Sequence, residues 1–422
     1  MFNKIKSFNN TEDKKRLMSN FFSLSILQAF TYVLPLLTLP YLVRILGVEQ
    51  FGLVMFAQAF IIFFNIFVDY GFNLSATREI AVYRENKEKL TEIFSAVMFI
   101  RVVLIFIAFI ILNLIVFSFE KFSNEWQLYE LTFLWVIGQA MFPIWYFQGM
   151  EKMKYITIVN IVSKVLFTVL IFIVIQTPDD YLYVPLLNGF GFIVGAIISL
   201  FMIHNNFKQS FKFQNFKILK KHFLDSSQFF LSRVSVTLYT SANTFILGLL
   251  TNNTMVGYYT IAEKLYMALQ SFYSPIVQAL YPYVAKEKNI RLFKKIFYIL
   301  LVLNTLGILI LFFISQDIFN ILFTQTIGIE SVKVFNILLL AALVLVPSII
   351  LGYPFLAALG FAKYPNMSVV YASIVHIGGI ASLVVFDNIT IYTVSMMVVI
   401  TQTVDLMYRL YGIRKEKLWN LK

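Results

Sequence analysis

The stretch PIWYFQGMEKMKYITIVN, residues 143–160, is written again in outline as PFLAALGFAKYPNMSVVY, residues 354–371. Pro143, Gly149 and Lys152 match Pro354, Gly360 and Lys363 at one offset of 211. In both places a proline interrupts an apolar run, a glycine ends it and a lysine follows. Two further echoes keep the same order. FGLVMFAQAF (51–60) aligns with VGYYTIAEKL (256–265), pairing Gly52 with Gly257, Ala57 with Ala262 and Gln58 with Glu263. KKRLMSNFF (14–22) aligns with KKHFLDSSQFF (220–230) across a two-residue gap. Three collinear matches point to a duplicated half of six helices. An even number of spans keeps both copies in the same sense across a membrane, the parallel repeat typical of secondary transporters.

Composition sets the solvent. Of 422 residues, 59% are hydrophobic and 13% charged, with a mean hydropathy of +0.78; soluble domains carry about 25% charged residues. A water-solvated fold cannot hide that much apolar surface, so lipid takes its place. There is no cysteine, which excludes disulfides and thiol chemistry. His204, His222 and His376 are scattered, so neither a metal site nor a cofactor is expected. Residues 1–18 are polar and basic with no apolar stretch followed by a cleavage site, and the first span is expected to direct insertion itself.

Twelve apolar runs have the length of a membrane-crossing helix, about 17–25 residues: 19–43, 51–70, 94–118, 128–147, 156–176, 182–203, 226–250, 256–283, 296–315, 334–359, 367–385 and 390–408. They do not alternate as barrel strands would, so the expected fold is all-α, with about 12 transmembrane helices in two pseudo-symmetric six-helix lobes. With the N-terminus in the cytoplasm, the inner segments hold 27 of the 34 Lys and Arg residues, against Arg44, Lys121 and Lys333 outside. That asymmetry orients the chain with both termini cytoplasmic. It also accounts for the net charge of +12, so nucleic acid is not an expected partner. The layout is a basic N-terminal segment (1–18), an N-lobe (19–203), an inter-lobe linker (204–225), a C-lobe (226–408) and a basic tail (409–422). The clusters KILKKH (217–222) and RKEKLWNLK (414–422) read as anchors on anionic lipid.

Several helices are too polar to face acyl chains all round. Gln28 and Tyr32 mark the first run, Gln58 and Asn65 the second, Lys164 the fifth, Arg233, Thr237, Thr240 and Asn243 the seventh, and Glu263, Lys264, Ser271 and Gln278 the eighth. A cation at mid-membrane costs about 2.5–3.5 kcal/mol on the insertion scale. Arg233, Lys264, Lys164 and Arg101 are therefore the candidate cations of a wet cavity, although Arg101, flanked by apolar Val97 and Ile105, is equally well placed to snorkel. Glu263 is the candidate coupling acid. Pro35 and Pro275 are candidate hinges, since a proline removes a backbone hydrogen bond.

LPYLVRILGVEQFGLVMFAQAF (39–60), DYGFNLSATREIA (69–81), PIWYFQGMEKMKY (143–155) and FILGLLTNNTMVGYYTIAEKL (245–265) together resemble the Wzx-type polysaccharide-unit flippases of the multidrug/oligosaccharidyl-lipid/polysaccharide exporter superfamily. The resemblance covers essentially the whole chain. It implies a V-shaped two-lobed exporter with a cationic cavity, in the bacterial inner membrane. The implied substrate is an undecaprenyl-diphosphate-linked glycan, with the polysaccharide polymerase or export machinery as a possible partner.

Two other classes compete. A multidrug and toxin extrusion exporter has the same fold, but organic cations call for acidic cavity residues, and Asp69, Glu130 and Asp405 sit near span ends, leaving Glu263. A membrane glycan polymerase or acyltransferase would need catalytic groups, and the acidic doublet Asp179-Asp180 reads as ordinary loop capping after Pro178.

Overall fold

The structure, a computed structural model, describes the backbone of residues 11–240, 242–323 and 329–420, and within these all side chains except those of 11–29, 32, 33, 231–233, 235–240 and 420. The candidates Gln28, Tyr32, Arg233, Thr237 and Thr240 lie outside the described side chains.

Among the described residues all regular structure is helical. The helices are α1 (Thr11–Asp69), α2 (Phe72–Val82), α3 (Lys87–Ser118), α4 (Glu120–Ser123), α5 (Trp126–Met141), α6 (Ile144–Gly149), α7 (Met153–Val174), α8 (Tyr183–Phe207), α9 (Phe216–Thr240), α10 (Ala242–Leu250), α11 (Asn253–Ser271), α12 (Ser274–Glu287), α13 (Ile290–Phe323), α14 (Ile329–Leu351), α15 (Lys363–Val385) and α16 (Ile391–Lys415). Eight described helical stretches are long and apolar enough to cross a membrane unaided. Other runs are helical in pieces: 128–147 is split into α5 and α6, and 256–283 into α11 and α12. Large apolar side chains stand exposed at helical spacing, Phe106, Ile110 and Leu114 on α3 and Leu303, Ile310 and Phe313 on α13. Faces of that kind belong against acyl chains.

The first two apolar runs form one continuous element that leaves helical geometry at Gly47 (φ 75°, ψ 167°). Pro35 lies within the helix, twelve residues before that break. Pro275 opens α12 directly after the break at Phe272–Tyr273.

Packing divides the chain into two compact units, Met1–Thr38 with Ala57–Thr237, and Leu39–Phe56 with Leu238–Lys422. In the first, Trp145, Tyr146 and Phe147 of the opening stretch are fully buried. α9 begins at Phe216, so helix replaces part of the expected linker, leaving 208–215 irregular. It docks on the α1–α2 corner: Phe223 stacks on Tyr70 with ring centroids 4.2 Å apart, Ser226 bonds Ser75 at 2.7 Å, and His222 meets Glu79 at 3.0 Å. Gly71 (φ 78°) makes that corner, and a Cβ there would lie 2.6 Å from that of Phe229.

The second unit contains a crossing that reports on the duplication. A Cβ on Gly52 would strike the Asn253 carbonyl and the Gly257 amide, and a Cβ on Gly257 would strike the Val48 carbonyl. At the offset of 205, Gly257 is the counterpart of Gly52, and Asn253 of Val48. Equivalent residues thus contact one another reciprocally, the signature of a self-complementary interface. Small residues are what allow membrane helices to approach this closely.

Candidate functional site

In the first unit the site is assembled around a buried arginine. α5 stops short of Pro143, and the amide of Ile144 bonds Phe142 instead of continuing the ladder to Ala140. The Ala140 carbonyl so released accepts from Arg101 Nη1 at 3.0 Å. Arg101 Nη2 donates to Asp69 Oδ1 at 2.6 Å and to Asn73 Oδ1 at 3.2 Å. Arg101 is 1% exposed, so it neither snorkels nor presents a bare charge to a cavity. Beside it lies a cavity of about 250 Å³ lined by Asn65, Asp69, Asn73 and Gln139 with Trp135. Asn65 Nδ2 donates to Gln139 Oε1 at 2.9 Å. Amides and a carboxylate around an aromatic ring suit hydroxyl-rich ligands.

The second unit carries a second buried arginine–aspartate pair. Arg409 Nη2 pairs with Asp405 Oδ2 at 2.9 Å, one helical turn away. Its Nη1 donates to the Ser348 carbonyl at 2.6 Å, and its Nε to Ser368 Oγ at 3.0 Å. Ser348 follows Pro347 on α14, the helix that passes into a π-helical turn over Gly352–Ala357 around Pro354. Asp69 and Asp405 looked peripheral in the sequence. The i,i+4 spacing of Asp405 and Arg409 was a legible sign of their pairing; the Asp69–Arg101 pair had no such sign.

The lysines differ. Lys164 on α7 is half-buried and its Nζ donates to Thr31 Oγ1 at 2.7 Å. Lys264 on α11 is also half-buried. Among the described residues no carboxylate lies within 4 Å of either amine, Glu263 included.

Glu263 belongs to a separate chain of hydrogen bonds. Its Oε2 accepts from Thr244 at 3.2 Å and its Oε1 lies 3.1 Å from the Tyr259 hydroxyl. That hydroxyl is 3.3 Å from Asn243 Nδ2, and Asn243 Oδ1 is 2.9 Å from His376 Nε2. His376 Nδ1 is 2.8 Å from Thr401 Oγ1, whose own proton goes to the Met397 carbonyl at 2.6 Å. A cavity of about 140 Å³ adjoins this chain, with Glu263, Gln270, His376 and Gln402 in its wall. His376 and Thr401 lie on α15 and α16, far from Glu263 in sequence, and nothing in the sequence linked them.

The remaining candidates are dispersed. Gln58 is half-buried on α1. Ser271 bonds back to the Ala268 carbonyl at 2.5 Å, and Gln278, exposed on α12, bonds Ser274 at 3.1 Å.

A family model described as polysaccharide biosynthesis protein matches residues 17–288. The chain belongs to this polysaccharide biosynthesis protein family. A relative from Escherichia coli (strain K12), assigned provisionally by name as an O-antigen transporter, is 34% identical over 292 residues, covering 67% of this chain and 70% of the relative. Among solved structures, the lipid II flippase MurJ in an inward closed conformation superposes with a TM-score of 0.70 at 15% identity, over 92% of this chain and 87% of that one. An inward-facing multidrug resistance MATE family transporter of the MOP superfamily gives 0.64 at 14% identity, over 95% and 100%. These likenesses establish the shared exporter fold. This family member is a multi-pass membrane transporter.

Proposed function

We propose that the chain moves an undecaprenyl-diphosphate-linked oligosaccharide repeat unit from the cytoplasmic to the outer leaflet of the bacterial inner membrane by alternating access, with both termini cytoplasmic. The observation that carries this reading is the contrast among the buried and half-buried cations. Arg101 and Arg409 are each closed onto an aspartate, whereas among the described residues Lys164 and Lys264 make no ion pair within 4 Å, Lys264 feeling only the charge of its chain neighbour Glu263. An amine kept half-buried at a cost in desolvation is ready for a mobile anion, and a diphosphate supplies one. Arg233 joins these two lysines on the strength of its place in the sequence stripe. The names of the relatives, O-antigen transporter and lipid II flippase, support the same substrate class. The polar cavity at Asn65 and Gln139 would take sugar hydroxyls, and the polyprenyl tail would stay in lipid. The product then passes to a polymerase on the far side.

The test is complementation of a strain lacking its own flippase. Wild type restores surface glycan; Lys164→Gln and Lys264→Gln, inserted at wild-type levels, restore at least about tenfold less. Normal display in both variants refutes the assignment.

Within this reading Glu263 is the coupling acid. Two fully bonded states of its chain exist. With His376 doubly protonated, Nε2–H donates to Asn243 Oδ1, Asn243 Nδ2 to Tyr259, and Tyr259 to the Glu263 carboxylate. With the Asn243 amide turned over, protonated Glu263 donates to Tyr259, Tyr259 to Asn243 Oδ1, and Asn243 Nδ2 to neutral His376. The states differ by one proton moved from His376 to Glu263 with every bond kept. Glu263→Gln is expected to abolish the response of transport to a pH gradient while glycolipid binding persists. Export of a cationic dye that stops in the same variant would favour the multidrug-exporter reading instead.

A further inference from the structure

A cavity of about 500 Å³ lies in the second unit between the start of α13, α14 and the end of α16, and has no part in the transport reading. Its walls are apolar: Phe297, Leu351, Leu410, Ile413 and Trp419. Two cations, Arg414 and Lys417, stand in its rim, both exposed and, among the described residues, without a carboxylate within 4 Å. The C-terminal turn that closes the cavity is fixed in place. Trp419 packs against Phe297 and Phe355 with ring centroids 5.6 and 5.7 Å away, and Lys294 sits 5.6 Å above its ring. Tyr298, half exposed beside the opening, completes a Trp–Tyr pair of the sort found at headgroup depth. Lys288 just before α13 and Arg291 and Lys295 in its first turns add further cations near the start of that helix.

The shape and charge define the occupant. An apolar slot of one acyl chain's order of size, rimmed by two exposed cations and flanked by interfacial aromatics, matches an amphiphile with a single chain to bury and a phosphodiester to neutralise. A soluble anion would leave the slot unused, and a zwitterionic lipid would leave the cations uncompensated. We propose that this cavity is a specific site for an anionic glycerophospholipid, with one acyl chain between α13 and α16 and its phosphate on Arg414 and Lys417. The C-terminal turn, held over the slot by Trp419, then acts as the clamp that such a lipid secures.

The experiment uses the purified full-length chain in detergent, titrated with phosphatidylglycerol or phosphatidylcholine, with occupancy read by native mass spectrometry and by the melting temperature. Wild type is expected to bind phosphatidylglycerol at least tenfold more tightly than phosphatidylcholine. In the double variant Arg414→Gln/Lys417→Gln, with both sites exposed and the fold intact, phosphatidylglycerol binding weakens by roughly thirtyfold, from about 1 kcal/mol for each interfacial cation. Phosphatidylcholine binding stays unchanged. Trp419→Ala weakens both lipids alike. An equal preference for phosphatidylglycerol in wild type and double variant overturns the proposal. So does competition by glycerol phosphate at the lipid's own affinity, since the chain would then be irrelevant. Displacement by undecaprenyl phosphate at lower concentration than phosphatidylglycerol would reassign the cavity to substrate entry. None of these readouts requires transport, so failure of the flippase reading leaves them intact.

Discussion

The segments around Pro143 and Pro354 carry the same punctuation and solve it differently. At Pro143 the helix stops: two residues leave the ladder, and α6 restarts at Ile144. At Pro354 the chain stays coiled and absorbs the missing donor in a π-helical turn. Gly149 is pressed against Ile80, where a Cβ would lie 2.5 Å from that side chain, whereas Gly360 has open space and takes φ 96°. Near each irregularity a buried arginine takes a backbone carbonyl, yet Arg101 comes from α3 and Arg409 from α16, which are not counterparts. Duplication supplied the defect twice. In the first unit the arginine takes up the carbonyl that the break releases, and in lipid an unsatisfied carbonyl costs several kcal/mol.

The comparison can be broken first at its arginines. Arg101→Leu leaves Asp69 without its buried partner and is expected to cost about 3–5 kcal/mol, read as a lowered melting temperature in detergent; Arg101→Leu/Asp69→Asn recovers part of the loss. Arg409→Leu should behave alike, and an innocuous result at either site would deny the shared role. Next comes the glycine crossing. Gly52→Val and Gly257→Val force the same two backbones apart, and each should destabilise by at least about 1–3 kcal/mol, the usual cost of overpacking. The double variant should fall short of the sum, since both substitutions act on one contact.

The lysines sharpen the contrast in the opposite direction. Lys164→Gln and Lys264→Gln are expected to leave the melting temperature unchanged or raised, since a partly buried amine with no ion pair within 4 Å among the described residues is removed, while transport falls. A large loss of stability would make them structural. The smallest effect belongs to Gly307→Ala on α13, where a Cβ meets nothing within 4 Å. A gain of about 0.5–1 kcal/mol is expected from helix propensity alone.

Helicity, the apolar runs and the duplication were legible because each is local or periodic: length and hydropathy report a crossing helix, and a constant offset reports a copied half. Asn65 and Glu263 stood out in the sequence as polar residues at helical spacing in an apolar context. Asp69 and Asn73 were not legible, since their value comes from meeting Arg101 of another helix, and Gln139 takes its place from Asn65. The same holds for His376, which has no sequence neighbour to suggest Asn243 or Thr401.

The sequence by itself determined that this chain lives in lipid, folds as helices and carries one plan twice, because the cost of exposing backbone or charge to hydrocarbon acts residue by residue. Apart from the i,i+4 pair Asp405–Arg409, which cations are cancelled and which are kept was decided by the tertiary structure. A charge in a membrane is defined by what stands within about 4–6 Å of it, and residues as far apart as 69 and 101, or 243 and 376, reach that distance through the fold.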